Sequence, residues 1–297
     1  MSMRGRIIKG IAGAYSVRCA DGALRGLYEC RAKGVFRKDN LKPMVGDEVE
    51  FDVLDEERKL GNISRLLPRR SELIRPAVAN VDQALVIFSL VMPKPNFNLL
   101  DRFLVMMGQQ EIAVIICFNK LDLDQESRWE EYCGIYDACG YRTLAVSARQ
   151  KEGIRELREL LAGRTTVAAG PSGVGKSSLI NCLQSGIVME TGEISRKIER
   201  GKHTTRHSEL IAVDRDTYIL DTPGFSSLGL FDLEKEELAG FYPEFSPYEK
   251  NCRFTDCSHI NEQVCGVKDA VDEGILSQMR YQNYCLLYRE LEKGKAW

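Results

Sequence analysis

Nowhere in these 297 residues does an apolar run approach the roughly 20 residues that a membrane-spanning helix needs. A long stretch such as residues 112–118 ends after seven. The N-terminus has no apolar signal core, so export is not expected and a cytoplasmic location is. Internal repeats and low-complexity tracts are also missing. With 44% hydrophobic and 28% charged residues, the composition is that of ordered globular protein, long enough for two or three domains. A disulfide framework is not legible either. Of the ten cysteines, Cys19, Cys30, Cys117, Cys133, Cys139 and Cys182 are scattered singly through segments that read as core or helix. They suit buried thiols in a reducing compartment. Cys252, Cys257 and Cys265 instead gather around His259.

The net charge of −2 is unevenly distributed. Residues 1–75 carry 16 Lys and Arg against 11 Asp and Glu, residues 76–229 carry 17 against 19, and residues 230–297 carry 8 against 13. Within residues 1–46 the count is 10 to 3. Such an excess suits contact with RNA phosphates, with a merely solubilising surface as the less favoured alternative. No aromatic cluster for stacking bases is evident; Tyr15, Tyr28 and Phe36 fit a core as well as a platform.

Hydrophobic alternation and glycine punctuation predict short strands at 5–12, 14–18, 24–32, 47–54 and 62–67, a small barrel of OB type. Leu67-Pro68-Arg69-Arg70-Ser71, with Pro76, reads as a linker. Beyond it the pattern changes to apolar strands at 83–90, 113–118, 143–146, 165–169, 208–213 and 217–220. Helices are expected between them at 99–110, 128–139, 154–161 and 176–184. That alternation predicts a parallel, doubly wound α/β sheet. From about residue 230 the chain carries the cysteine cluster and a helical stretch over 269–292. The expected division is residues 1–70, 71–229 and 230–297.

Gly170-Pro171-Ser172-Gly173-Val174-Gly175-Lys176-Ser177-Ser178 follows a strand and opens a helix, the context a phosphate loop requires. Its backbone N–H groups and the helix dipole suit phosphate, Lys176 would reach the β and γ phosphates, and Ser177 would ligate Mg²⁺. Asn119-Lys120-Leu121-Asp122 ends another strand. Asp122 can accept from the ring N–H and exocyclic amine of guanine, and adenine offers no matching donors. Asn119 would brace the purine edge and the stem of Lys120 would cover the base face. Ser147-Ala148 closes a further strand and resembles a backbone contact to guanine. Asp221-Thr222-Pro223-Gly224 follows the last strand; Asp221 would hold Mg²⁺ through water and Gly224 N–H would touch the γ phosphate. Alone, each of these short motifs reads as a turn or solvated loop; the case rests on their company.

Between them, Gly201-Lys202-His203-Thr204-Thr205 suits a switch loop, with Thr205 favoured over Thr204 as a Mg²⁺ ligand. Phe225 stands where Ras-like proteins have the glutamine that positions water, so unassisted hydrolysis should be slow, on the order of 10⁻⁴ per second by analogy. His203 is the candidate for orienting water, or else an exposed loop residue. The motif order, base-reading loop before phosphate loop, is that of a circularly permuted GTPase.

Cys252-x4-Cys257-x-His259-x5-Cys265 offers four ligands within 14 residues, a complete tetrahedral shell for one structural Zn²⁺. Taken together these motifs resemble the RsgA (YjeQ) family of permuted, ribosome-associated GTPases over essentially the whole chain. The resemblance implies a multi-domain α/β protein with an N-terminal OB-type barrel, a central permuted P-loop GTPase and a C-terminal zinc-binding helical domain. It implies binding to the 30S subunit and its 16S rRNA, GTP hydrolysis stimulated by that subunit, and a role in late subunit maturation. GTP and GDP are the expected ligands; no membrane partner is expected, and the chain is expected to be a monomer. Two other readings stay open, a non-catalytic GTP-dependent RNA-binding module and a metal-delivery GTPase.

Overall fold

The computed structural model describes residues 2–20, 25–32, 36, 42–73, 77–184, 209–221 and 233–294. The first five strands are β1 (Ser2–Ile11), β2 (Ala14–Cys19), β3 (Gly26–Ala32), β4 (Glu48–Asp55) and β5 (Leu60–Leu66). They run in the order β1-β2-β3-β5-β4, and β4 returns to β1, closing a five-stranded barrel. Only β3 and β5 pair in parallel within it. Alternation explains the closure: Val49 and Phe51 of β4 are fully buried while Glu48, Glu50 and Asp52 are not. Ile7, Val17, Tyr28, Val49, Phe51 and Ile63 fill the interior, with Phe36 buried beside them and Tyr15 packed against the cluster. Tyr28 and Phe36 thus belong to the core, so they are not a stacking platform.

The segment read as a linker is built into the fold. Strands β6 (Glu72–Leu73) and β7 (Val78–Ala79) pair antiparallel. Arg69 pairs with Asp47 and with Glu72, each at 2.7 Å. The Asp47 side chain is wholly buried, so the pair is shielded from solvent on that side. Asn80 accepts from Arg70 N at 2.8 Å and donates to Gly46 O at 3.0 Å. Proline and charge suggested a linker; burial of the Asp47 carboxylate against Arg69 ties it down.

Next come β8 (Gln83–Ser89), α1 (Phe97–Gln109), β9 (Ala113–Asn119), α2 (Arg128–Ala138), β10 (Arg142–Val146), α3 (Ile154–Leu161), β11 (Thr165–Ala169), α4 (Lys176–Gln184), β12 (Glu209–Ala212) and β13 (Tyr218–Asp221). Contacts divide the chain into two compact units. One is Met1–Gln83, Glu156–Ala169 and Ser177–Gly224, and the other is Ala84–Arg155, Gly170–Lys176 and Phe225–Trp297. In the second unit β10 lies parallel to β9, with Val146 opposite Asn119. In the first, β11 and β13 are parallel, with Ala168 opposite Asp221. Strand β12 departs from the parallel expectation and is antiparallel to both β13 and β1. Five residues separate β12 from β13, too few for a crossover. The turn is closed by Val213 N to Thr217 O at 2.9 Å.

The C-terminal region begins with two 3₁₀ turns, Lys235–Phe241 and Pro243–Phe245, followed by α5 (Ser246–Glu249), α6 (Gly266–Asp272) and α7 (Gln278–Glu292). The helical stretch expected at 269–292 is therefore two helices, parted at Gly274 (φ +74°); Ser277 Oγ caps the second. Leu238, Tyr242, Phe245, Val267, Tyr284 and Leu287 form its core, together with Val105 of α1. At its centre the fully buried Arg280 donates to Asp101 at 2.5 Å and to Glu244 at 2.8 Å. No described helix is long and apolar enough to cross a membrane. All ten thiols are free of disulfides, and burial pushes Cys30 and Cys139 up to about 12.

Candidate nucleotide site and metal centre

Strand β9 is buried from Ile115 onward and delivers Asn119 to its end. Asn119 is 2% exposed, and its side chain is spent on backbone. Nδ2 donates to Val174 O at 2.9 Å, and Oδ1 accepts from Ala148 N at 3.2 Å. One amide thus ties the strand to the phosphate loop and to the loop after β10. Lys120 follows in the left-handed region (φ +68°), which turns the chain sharply into the 3₁₀ turn Leu121–Leu123. Lys120 Nζ donates to Gly173 O at 2.7 Å. Asp122 Oδ1 accepts from Ser147 Oγ at 2.6 Å, and that oxygen in turn accepts from Gln150 N at 3.0 Å. Ser147 is fully buried, so Asp122 is held by a fixed partner.

The phosphate loop is shaped by close approaches. A Cβ on Gly170 would sit 2.1 Å from Ile87 O, and one on Gly175 would sit 2.4 Å from Asn119 Nδ2; both have positive φ. Glycine is therefore required at both positions. Val174 is buried, while Ser172 and Gly173 are exposed. Lys176 Nζ donates to Gly170 O at 2.6 Å and Pro171 O at 2.7 Å, so its ammonium lies back over the loop. Ser177 and Ser178 occupy the exposed first turn of α4. Asp221 ends β13. His203, Thr204, Thr205, Gly224 and Phe225 lie outside the described residues. Asn119, Lys120, Asp122, Ser147, Ala148 and the loop from Gly170 to Lys176 are thus held together within one unit.

The ligand atoms of Cys252, Cys257, His259 and Cys265 all lie within 4.8 Å of one another. Thiolates about 2.3 Å and an imidazole nitrogen about 2.0 Å from one ion at tetrahedral angles would give edges of about 3.8 and 3.5 Å. The separations are 3.9 Å between Cys252 and Cys265 Sγ, 3.7 Å from Cys252 Sγ to His259 Nδ1, and 3.4 Å from His259 Nδ1 to Cys265 Sγ. These fit such a shell. Burial lowers the His259 imidazole below its ordinary value, keeping it neutral as a ligand must be. Burial also pushes the Cys257 thiol up to about 12, which a bound cation would reverse.

Three residues supporting this cluster were not visible in the ligand spacing. Glu249 Oε1 is 3.7 Å from His259 Nε2, on the side of the ring away from the cluster. Glu262 accepts from Ser258 N and Oγ and from Ile260 N, at 2.7 to 2.9 Å. Burial raises its carboxyl, but these hydrogen bonds outweigh that and hold it at about 2. Tyr281 donates to His259 O at 2.7 Å. Carboxylates near ligands follow no fixed spacing, so no sequence signal pointed to them.

The loop at residues 119–122 precedes the glycine-rich loop at 170–178 in the chain, and the fold is that of a circularly permuted GTPase. Solved structures agree. "YloQ, a circularly permuted GTPase" is 36% identical, with TM-score 0.78, covering 100% of this chain and 97% of that one. YjeQ from Thermotoga maritima is 35% identical, with TM-score 0.79, covering 98% and 99%. The profile of the RsgA GTPase matches residues 66–231 and that of the RsgA N-terminal domain residues 4–63. A protein of Agathobacter rectalis named "Small ribosomal subunit biogenesis GTPase RsgA" is 59% identical over 99% of this chain and 100% of its own length. One of the same name from Alkaliphilus metalliredigens is 48% identical over 99% of each. The chain belongs to the RsgA GTPase family, and it is a GTP hydrolase.

Proposed function

We propose that this GTPase acts in late maturation of the small ribosomal subunit, binding the 30S particle and hydrolysing GTP to GDP and phosphate with stimulation by it. The observation that carries the reading is 59% identity, over both full lengths, to a relative named for small-subunit biogenesis. Residues 1–70 serve as the RNA-contacting barrel, 71–229 as the GTPase and 230–297 as the metal-binding helical region, and the protein works as a cytoplasmic monomer. In the nucleotide pocket, Asp122 reads the guanine N–H groups, Ser147 and Ala148 support the base side, and Lys120 covers the base face. The backbone of residues 170–178 cradles the phosphates. Lys176 exchanges the Gly170 and Pro171 carbonyls for β and γ phosphate oxygens. Ser177 and Thr205, with Asp221 through water, would hold Mg²⁺, which neutralises charge on the phosphates. Gly224 N–H senses the γ phosphate and His203 orients the attacking water. Cys252, Cys257, His259 and Cys265 hold one structural Zn²⁺; the three-sulfur, one-nitrogen set and its dimensions favour that ion.

Phosphate release measured on the purified chain with and without small subunits tests this reading. Turnover should rise at least tenfold with subunits, and the Lys176→Ala chain should show no such rise. Absence of stimulation removes the ribosomal assignment, and equal turnover of ATP removes the guanine pocket.

A further inference from the structure

Lys120 is gripped from two directions. Its ammonium donates to Gly173 O of the phosphate loop and also to Met92 O, which belongs to the turn after β8. One side chain closes that turn. Ser89 Oγ donates to Met92 O at 2.8 Å and accepts from Met92 N at 3.0 Å, and Ser89 itself is fully buried. The turn is fixed a second time where Leu90 N donates to Asn119 O at 3.0 Å, one residue before Lys120. Pro93, the next residue, lies against the phosphate loop, with Cδ 3.7 Å from where a Cβ on Gly173 would stand.

We infer that Ser89 is a positioning residue for nucleotide binding, shaping the Met92 turn so that its carbonyl supplies the second acceptor that fixes Lys120. The inference rests on the nucleotide pocket proposed above. A lysine stem is long and flexible, and ordering it when ligand arrives costs affinity. Two carbonyls on one ammonium with three donors remove that freedom beforehand. The base then meets a formed wall. Ser89 acts through the main chain of Met92 and does not enter the pocket chemistry of Asp122. Its effect is therefore on retention of GDP and GTP alike, with guanine selectivity unchanged.

The test is dissociation of a fluorescent GDP from the full chain by stopped flow, in a double-mutant cycle of Ser89→Ala and Lys120→Ala. Loss of one net hydrogen bond corresponds to roughly three- to tenfold, so Ser89→Ala should speed dissociation by about that factor and raise KM for GTP with kcat unchanged. Ser89→Gly, which deletes the same hydroxyl, should do likewise. In the Lys120→Ala background neither should add anything. An unchanged dissociation rate in both Ser89 variants overturns the inference, as does the same acceleration with and without Lys120. If Lys120→Ala itself leaves GDP dissociation unchanged, the pocket reading fails and takes the inference with it.

Discussion

Replacing Arg280 by methionine removes one cation from the centre of the C-terminal core. Arg280 is 1% exposed and stacks 4.4 Å over the Tyr242 ring. Among the described residues it is the only cation hydrogen-bonded to Asp101, whose other hydrogen bonds come from Tyr136 Oη at 2.9 Å and Asn283 Nδ2 at 2.7 Å. Methionine keeps most of the volume and loses the charge. Leaving such a carboxylate buried without its cation costs about 3–5 kcal/mol, which corresponds to a fall in Tm of roughly 6–20 °C for a unit of this size. The penalty depends on pH. Burial is the largest influence on the Asp101 carboxyl and pushes it up, while the Arg280 charge pulls it down. Already raised by burial, the native carboxyl without that charge titrates still further above the unfolded value of about 3.9, so the native state holds the proton more tightly. The lost stability therefore returns as pH falls through the raised native value and levels off below about 4. Urea unfolding of Arg280→Met between pH 7.5 and 5, beside Arg280→Met with Asp101→Asn, reads this directly. The double variant should recover part of the loss and depend less on pH, the remainder reflecting buried Glu244, which also loses Arg280. A single variant within about 1 kcal/mol of the parent, or a loss independent of pH, refutes the argument.

Asp122→Asn replaces one acceptor oxygen with a donor; calorimetry should show GTP affinity lower by roughly 10²-fold or more, with a xanthosine nucleotide, which offers a carbonyl in place of the amine, bound better than by the parent. Elemental analysis should find one zinc per chain, reduced in Cys265→Ser. Glu249→Gln should keep the zinc but surrender it to a chelator roughly 10- to 100-fold more readily.

Much of this was legible because local chemistry dictates it. Alternation in Glu48-Val49-Glu50-Phe51 located β4 to a residue, since one face of a barrel strand must be apolar. The helix at Ile154–Leu161 was bounded correctly by its apolar spacing. The failures share a cause. Arg69 looked like a linker residue because its partner Asp47 is 22 positions away. Strand β12 looked parallel because direction is set by the length of the turn to β13, not by the strand's own residues.

The site divides in the same way. Residues 119–122, 170–178 and the cluster at 252–265 announce themselves because ligand chemistry demands particular side chains at particular spacings. What holds them is largely main chain. Asn119 spends its amide on Val174 O and Ala148 N, Lys176 rests on Gly170 O and Pro171 O, and Lys120 bridges Gly173 O and Met92 O. Every residue has a carbonyl, so its use leaves no trace in the sequence. Only the side chain that bends such a carbonyl into place is variable, and at Met92 that side chain is Ser89. A residue outside every motif can thus govern how well a motif works, which is why the Ser89 and Lys120 cycle tests the construction of the pocket and not merely its composition.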